Sequence, residues 1–406
     1  MKKLIAAAVA AAVIAPASVM AAGPTLYGKI HSAVEMHDNN GSNLTGGTVA
    51  NNGVKYDEWS LNSRASRIGV KGSEDLGNGM KVGYLIEWGV NMTGNNGNTD
   101  LSERNRAVTL SGDWGTMLWG KWDTPMKTLG RKVDIFGDRI GDNRNLNTFT
   151  TLDARAENVV AYVTPNMNGF TATVAYSFDA VSSERDDNGV QTGGQNSDSN
   201  AWSFNAIYNN GPLMAGVAYV DYSEGTFSVP STQVQPINYP TAAANGCWNS
   251  TTVNNCENES AWRAAGSYKI GDFKILASYT DISNANGLDG ADTNIWTLGG
   301  TYTMGNNVIK VQYGVRDELD DWKDATGAKQ INSGDETGAD MWSVGLDHKF
   351  SKRTTVYAMY STMSNDDRSN GTSWSVNSAE GQAGSNGAGT SFEDADSFAV
   401  GIIHKF

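Results

Sequence analysis

The sequence has little of what most folds and active sites rely on. It has two cysteines, Cys247 and Cys256, and eight prolines in 406 residues. Beyond the N-terminus it has no run of about twenty apolar residues, which excludes a bundle of membrane-spanning helices. Basic residues are in deficit, 30 against 44 acidic, for a net charge of −14. That excess argues against nucleic acid and against attraction to anionic lipid. No G-x-S-x-G elbow, Walker loop or zincin motif occurs, so neither an enzyme nor a cofactor is expected. Paired acids are common but sit in loops, where a solvated surface is the default. Of the four histidines, His31, His37, His348 and His404, only the first two lie close in sequence. Six apart on a strand, they would share one side; a polar lumen or rim face outweighs a metal site there. The two cysteines lie near each other in a polar stretch, so a local disulfide stiffening one loop is expected, with two free thiols as the alternative.

What is present begins with a secretion signal over residues 1–21. Lys2 and Lys3 give the positive start, Leu4 to Ile14 the apolar core, and Val19-Met20-Ala21 a small-residue cleavage site. The apolar run is too short for a membrane anchor. The mature chain, 22–406, would begin at Ala22 or Gly23 and carry 28 basic and 44 acidic residues, a net −16 once Lys2 and Lys3 are removed.

The rest follows a repeated grammar. About ten residues alternate apolar and polar, a tight turn follows, then another such segment, then a long polar loop. The short turns are Ser73 to Gly79, Ser111 to Gly115, Thr164 to Gly169, Asn209 to Pro212, Ile270 to Asp272, Thr303 to Asn307 and Phe350 to Thr354. Seven hairpins supply fourteen strands; a first strand from Pro24 to about Met36 and a last from Ala395 to Phe406 make sixteen. The eight long loops, roughly 38–55, 93–103, 124–154, 179–199, 223–259, 281–292, 317–339 and 364–394, are too polar to build cores of their own.

Alternation separates two faces. Phe398, Val400, Ile402, His404 and Phe406 share one side of the last strand; Phe170, Ala172, Val174, Tyr176 and Phe178 share one side of another. Tyr162, Tyr208, Tyr268 and Tyr302 each precede a short turn, a level that suits the headgroup zone of a membrane. No proline interrupts a ladder. These features predict an all-β chain: a 16-stranded antiparallel transmembrane β-barrel, greasy outside and wet inside, with short periplasmic turns and long extracellular loops. A soluble β-sandwich also alternates, but would scatter its rings through a dry core.

Several segments carry a family resemblance. Ser66 to Gly79 (SRIGVKGSEDLGNG), Leu26-Tyr27-Gly28, Trp114 to Pro125 (WGTMLWGKWDTP), Arg155 to Pro165 (RAENVVAYVTP) and the terminal VGIIHKF resemble segments of general Gram-negative porins of the neisserial and related proteobacterial type. The resemblance covers nearly the whole mature chain. It implies an outer-membrane homotrimer with one pore per subunit, surrounded by lipid and lipopolysaccharide. It implies passive diffusion of ions and small hydrophilic solutes, a third loop folded into the lumen, and a terminal Phe406 read by the barrel-assembly machinery. A substrate-selective channel and a non-transport surface protein or adhesin are the alternatives.

The third loop, 124–154, is the candidate constriction. It carries Lys127, Arg131, Lys132, Asp134, Asp138, Arg139, Asp142 and Arg144. Asp134, Asp138 and Asp142 recur every four residues, so a short helix would align them on one side. Leu129, Val133, Ile135, Phe136 and Ile140 would pin the loop to the wall. On this reading Asp134 and Asp138, with Arg131 and Lys132, edge the neck from the loop. Parity turns Lys29, Arg67, Lys71, Lys81 and Arg155 inward from the wall to face them, setting up a transverse field. Lys310, Gln312 and Arg316 are also inward, away from the neck, and Tyr27 and Tyr357 are inward aromatics.

Overall fold

The computed structural model describes residues 23–41, 56–93, 101–147, 150, 152–178, 200–223, 257–287, 289–321, 323, 337–366 and 392–406. The signal segment and both cysteines, Cys247 and Cys256, lie outside the described residues.

The strands are β1 (Thr25–Gly41), β2 (Tyr56–Ser63), β3 (Arg67–Gly77), β4 (Met80–Val90), β5 (Leu101–Gly112), β6 (Gly115–Asp123), β7 (Arg155–Val163), β8 (Phe170–Ser177) and β9 (Ala201–Asn210). They continue as β10 (Leu213–Tyr222), β11 (Glu259–Ile270), β12 (Phe273–Ser283), β13 (Thr293–Met304), β14 (Asn307–Arg316), β15 (Ala339–Lys349), β16 (Thr354–Asn365) and β17 (Phe392–Lys405). From β3 onwards each pairs antiparallel with the next, and β17 returns to β1, with Lys29 opposite Lys405 and Met36 opposite Phe398. Both β2 and β3 pair with β1, β2 against Ser32–Asn39 and β3 against Thr25–Lys29. They are one interrupted stave, so seventeen segments close a barrel of sixteen.

The seven short turns fall where the sequence places them, between consecutive strands of each hairpin. At the first, Asn78 (φ +52°) and Gly79 (φ +75°) are both left-handed, as a tight hairpin turn requires. Several boundaries differ from expectation: β3 runs on to Gly77 and narrows the first turn to Asn78 and Gly79, and β17 begins at Phe392. The first strand runs on to Gly41, because β17 and β2 pair with it on either side almost to that point. The second stave breaks at Arg64–Ser66, where Ala65 has φ +47°. There the Ser66 hydroxyl accepts from the His31 N–H at 2.9 Å and donates to the His31 carbonyl at 3.0 Å, standing in for missing ladder bonds.

Exposure alternates along the strands. Val34, Val400 and Ile402 lie open on the outside, while Ala33, Ala399 and Ser397 beside them are buried. Only lipid can cover such rows of apolar side chains around a whole cylinder. Two aromatic belts bound them. Near the short turns Phe273 stacks on Tyr302 at 4.3 Å. Towards the other end Tyr219 meets Trp262 at 4.6 Å and Tyr313 meets Trp342 at 4.3 Å. On β12 the belts are marked by Phe273 and Tyr279, opposite Tyr302 and Trp296. Six residues of strand span about 20 Å, close to the apolar band of an outer-membrane barrel, about 25 Å.

The third loop lies inside. Its helix α1 (Pro125–Val133) starts on Thr124, whose hydroxyl accepts from the Lys127 N–H at 3.2 Å, with Pro125 supplying the fixed φ of a first turn. Met126, Leu129, Val133, Phe136, Ile140, Leu146 and Leu152 are all buried in the cluster that forms the core. They lie on the β9–β16 wall, where glycines leave room. A Cβ at Gly345 would stand 2.8 Å from the Phe136 ring, one at Gly314 2.6 Å from Leu146, and one at Gly216 2.8 Å from Leu129.

Burial of these side chains is what holds the loop against one wall. Phe136→Ala is therefore expected to weaken loop docking by about 3 kcal/mol while the barrel itself stays closed. In the variant, limited trypsin cleavage after Arg131 or Lys132 should speed up, with heat-modifiable migration in detergent gels unchanged. Cleavage at the wild-type rate would count against the pinning.

Candidate pore constriction

Helix α1 ends sooner than the four-residue spacing of its aspartates predicts. Asp134 is already extended (φ −86°, ψ 107°), and its Oδ1 accepts from the Phe136 N–H at 3.1 Å, turning the chain out of the helix. Asp138 follows in a left-handed conformation, φ +63°. The three aspartates therefore converge through turns, and the helical alignment is corrected. Asp142 is the organiser: its Oδ2 accepts from the Asp138 N–H at 2.7 Å and from Arg131 at 2.9 Å. Arg131 also reaches Asp134 at 3.0 Å and Asp138 at 2.7 Å, and Arg144 reaches Asp138 at 3.2 Å and Asp142 at 2.7 Å.

This knot touches the far wall at one point. Asp138 accepts from Lys29 of β1 at 2.8 Å and lies 4.0 Å from Arg67 of β3. Arg67 turns its other side to Glu87, 3.5 Å away, which also takes Arg104 at 2.6 Å and the Tyr27 hydroxyl at 3.0 Å. Of the residues expected at the neck, Arg131, Asp138, Lys29 and Arg67 are thus brought together. Asp134 belongs to the same knot, but its side chain is only 2% exposed.

The other expected residues lie elsewhere. Lys71 stands over the Tyr27 ring, 5.1 Å from its centroid, nearer the short turns. Lys81, still closer to them, lies opposite Asp75 and Ser111 in register. Arg155 is held at the root of the loop by Asn105 at 2.6 Å and Asp123 at 3.3 Å. Lys132 makes no ion pair with the knot among the described residues, and the charge acting on its ammonium is that of Lys274. Phe406 sits at the closure: its carbonyl accepts from the Gly28 N–H at 3.0 Å, and its ring fills the space a Gly28 side chain would take.

Further groups fasten the loop. Arg139 makes a bidentate pair with Asp347, at 2.6 and 3.1 Å, and lies over the Tyr357 ring at 4.1 Å. Lys310 donates to the Ile135 carbonyl at 2.9 Å, Gln312 to that of Gly141 at 3.0 Å, and Arg263 pairs with Asp153 at 2.8 Å. Strand parity turned Lys310, Gln312 and Arg316 inward, but their loop partners are about 170 residues away in sequence, beyond the reach of any local signal. His31 and His37 also face inward, bonded to the Tyr357 hydroxyl and the Ser397 hydroxyl, each at 2.8 Å.

Burial and charge act in opposite directions on the aspartates. Burial alone would raise the Asp138 carboxyl, but Arg131, Lys29, Arg144 and Arg67 outweigh it and hold it well below the ordinary range. Asp142 is likewise buried and is lowered by Arg144 and Arg131. Asp134 goes the other way, raised by burial and then by the charge of Asp142, to which it is hydrogen-bonded. The two carboxyls are thus pushed in opposite directions.

A docked Asp134 thus keeps a proton that a free loop would release. Its contribution to docking is fully present below the ordinary carboxyl value of 3.8 and is lost as pH rises beyond it towards the raised value. Open-channel current noise from the loop is expected to grow as the pH is raised from mildly acid to alkaline in the wild type. Asp134→Asn, which cannot ionise, should flatten that dependence; superimposable profiles would refute the role of Asp134.

Comparison with known proteins adds the following. The sequence model of a family described as Gram-negative porin matches residues 6–368. Outer membrane porin protein 32 of Delftia acidovorans is 26% identical over 329 residues, 78% of this chain and 79% of that one. Major outer membrane protein P.IA of Neisseria meningitidis serogroup B is 25% identical over 360 residues, 82% and 87% of the two chains. Among solved structures, an anion-selective porin from Comamonas acidovorans superposes with a TM-score of 0.64 at 24% identity, covering 95% of this chain and 99% of that one. A trimer form of OmpT from Vibrio cholerae superposes with a TM-score of 0.56 at 16% identity, covering 95% and 99%.

Proposed function

The chain belongs to the family of Gram-negative porins, and from that premise we propose how this outer-membrane channel sorts the ions and small hydrophilic solutes that diffuse through it. The neck lies between the docked third loop and the β1–β5 wall, and it favours anions. One observation carries this reading: of the charges gathered around Asp138, the two most exposed are cationic. Arg67 and Arg131 keep 28% and 29% of their side-chain surface exposed, whereas Asp138 keeps 14%, Asp134 2% and Asp142 1%. The aspartates neutralise part of the guanidinium charge from below but present little of themselves to a passing ion.

The chain as a whole is acidic, at −14. Distance decides between the two influences. At physiological salt the screening length is about 8 Å, so an ion in the neck responds to the guanidinium groups beside it and only weakly to loop carboxylates farther off. Two lining cations at contact act with about 4 kcal/mol each at an effective dielectric of 20 before screening. A sugar track would need rings open along the lumen, yet inward Tyr222 and Tyr357 are covered by the loop and wall, at 0% and 3% exposure, which leaves the half-buried Tyr27, bonded to Glu87. The assembly we propose is a homotrimer, supported by the trimer form of OmpT among its structural neighbours.

Arg67→Gln removes one of the two open cations and leaves the aspartate knot with Arg131 and Arg144. In a tenfold KCl gradient across a planar bilayer, the reversal potential of the variant should move towards potassium, with the chloride-to-potassium permeability ratio falling by roughly half or more. A wild-type pore that prefers potassium, or a variant with an unshifted potential, would overturn the proposed selectivity.

A further inference from the structure

Strand register sets a row of adjacent inward positions on the wall beneath the docked loop. Lys269 of β11 is opposite Lys274 of β12, Lys274 is opposite Thr301 of β13, and Thr301 is opposite Lys310 of β14. The row lies one inward step towards the short turns from Leu276, which is buried in the loop's footprint. Adjacent strands are about 4.8 Å apart, so these side chains rise from a strip only about 15 Å wide. Helix α1, which carries Lys132, packs against β11 and β12 above the strip. Burial lowers the Lys132 ammonium, and the charge that adds to the effect is that of Lys274.

What distinguishes this strip is its lack of counter-charge. Lys310 at its end is paired with Asp347 at 2.8 Å. The side chains of Lys132, Lys269 and Lys274 form no ion pair or hydrogen bond among the described residues. In a chain with 44 acidic and 30 basic residues, three neighbouring lysines with no paired carboxylate stand out, since even Asp272 in the turn between β11 and β12 forms no ion pair with them among the described residues. Like charges brought together and partly removed from water repel one another, and a multivalent anion between them would offset that cost.

We propose that Lys132, Lys269 and Lys274, with the Thr301 hydroxyl as a further donor, form a binding step for a small multivalent oxyanion, a phosphate or a dicarboxylate, on the short-turn side of the neck. Flexible ammonium groups suit such a ligand because they act as point charges that can follow it, whereas a fixed guanidinium fork would hold one geometry. The inference rests on the reading of the lumen as a water-filled path. Placed behind the neck, the step would hold an anion that has passed Arg67 and Arg131, or one arriving from the short-turn side.

The test is a titration of inorganic phosphate at pH 8 against chloride current through the full-length mature protein in planar bilayers, phosphate being added to one face at a time. Phosphate should reduce the current at lower concentration from the short-turn face than from the long-loop face. Lys274→Gln and Lys132→Gln should each raise the half-blocking concentration by about tenfold, near 1.4 kcal/mol, and Lys274→Arg should retain the block. Succinate in place of phosphate separates the two ligand classes: block by either one supports the site and names the class. A current indifferent to both anions would overturn the site, as would block in a Lys132→Gln/Lys274→Gln double variant as strong as in the wild type. The wild-type comparison of faces stands without any variant: stronger block from the long-loop face would also overturn the site. Chloride current without added anion is the separate check on the channel; its absence would sink the water-filled lumen, not the site alone.

Discussion

In hydrocarbon every backbone N–H and C=O must find a partner within the protein, since an unpaired group costs several kcal/mol and no water is at hand. Sixteen staves meet that requirement only if the last one returns to the first. The closure between β1 and β17 runs from Lys29 opposite Lys405 to beyond Met36 opposite Phe398. It is extended by the terminal residue, whose N–H donates to the Gly28 carbonyl at 3.1 Å while its own carbonyl accepts from Gly28. Gly28 has no side chain to oppose the Phe406 ring, so the last residue seals the seam with its backbone and its side chain together. The interruption at Arg64–Ser66 obeys the same demand: where the ladder lapses, the Ser66 hydroxyl serves both polar groups of His31.

A closed cylinder of this size leaves an interior wider than its own side chains fill, and the third loop uses that space. Its apolar residues dock on the β9–β16 wall, where Gly216, Gly314 and Gly345 clear places for Leu129, Leu146 and Phe136. On the proposed reading this displaces the bore to the opposite side, against β1 to β5. The loop needs no bulky core of its own, because the wall supplies half of one. Charged residues then fasten it, Arg139 to Asp347 and Arg263 to Asp153, in buried pairs whose separation would leave a charge uncompensated.

The aspartate knot shows how charge of both signs can yield a site of one sign. Asp134, Asp138 and Asp142 converge on Arg131 and Arg144, and the carboxylates of Asp134 and Asp142 end up beneath the Arg131 guanidinium. They hold the arginines in place and moderate their field without being displayed. Counting charges along the loop would predict near neutrality; the exposed surface is cationic. The strip of Lys132, Lys269 and Lys274 extends the same character past the neck, in a molecule whose overall charge is strongly negative.

The amino-acid sequence by itself determined the number of staves, the seven short turns and the face to which each strand residue belongs. These are local properties: a period of two carries inside and outside along a strand, and Gly and Asn mark the turns within a few residues. Parity was enough to turn Lys29, Arg67 and Lys310 inward. Only the tertiary structure decided which inward charges meet. Lys29 and Asp138 are 109 residues apart, and their contact depends on where the loop docks. The same docking buried Asp134 and ended α1 at Val133, where spacing alone would have prolonged it. Strand parity is set by the backbone within two residues; the meeting of a loop with a wall is set by the packing of side chains from ten strands, and no stretch of sequence contains it.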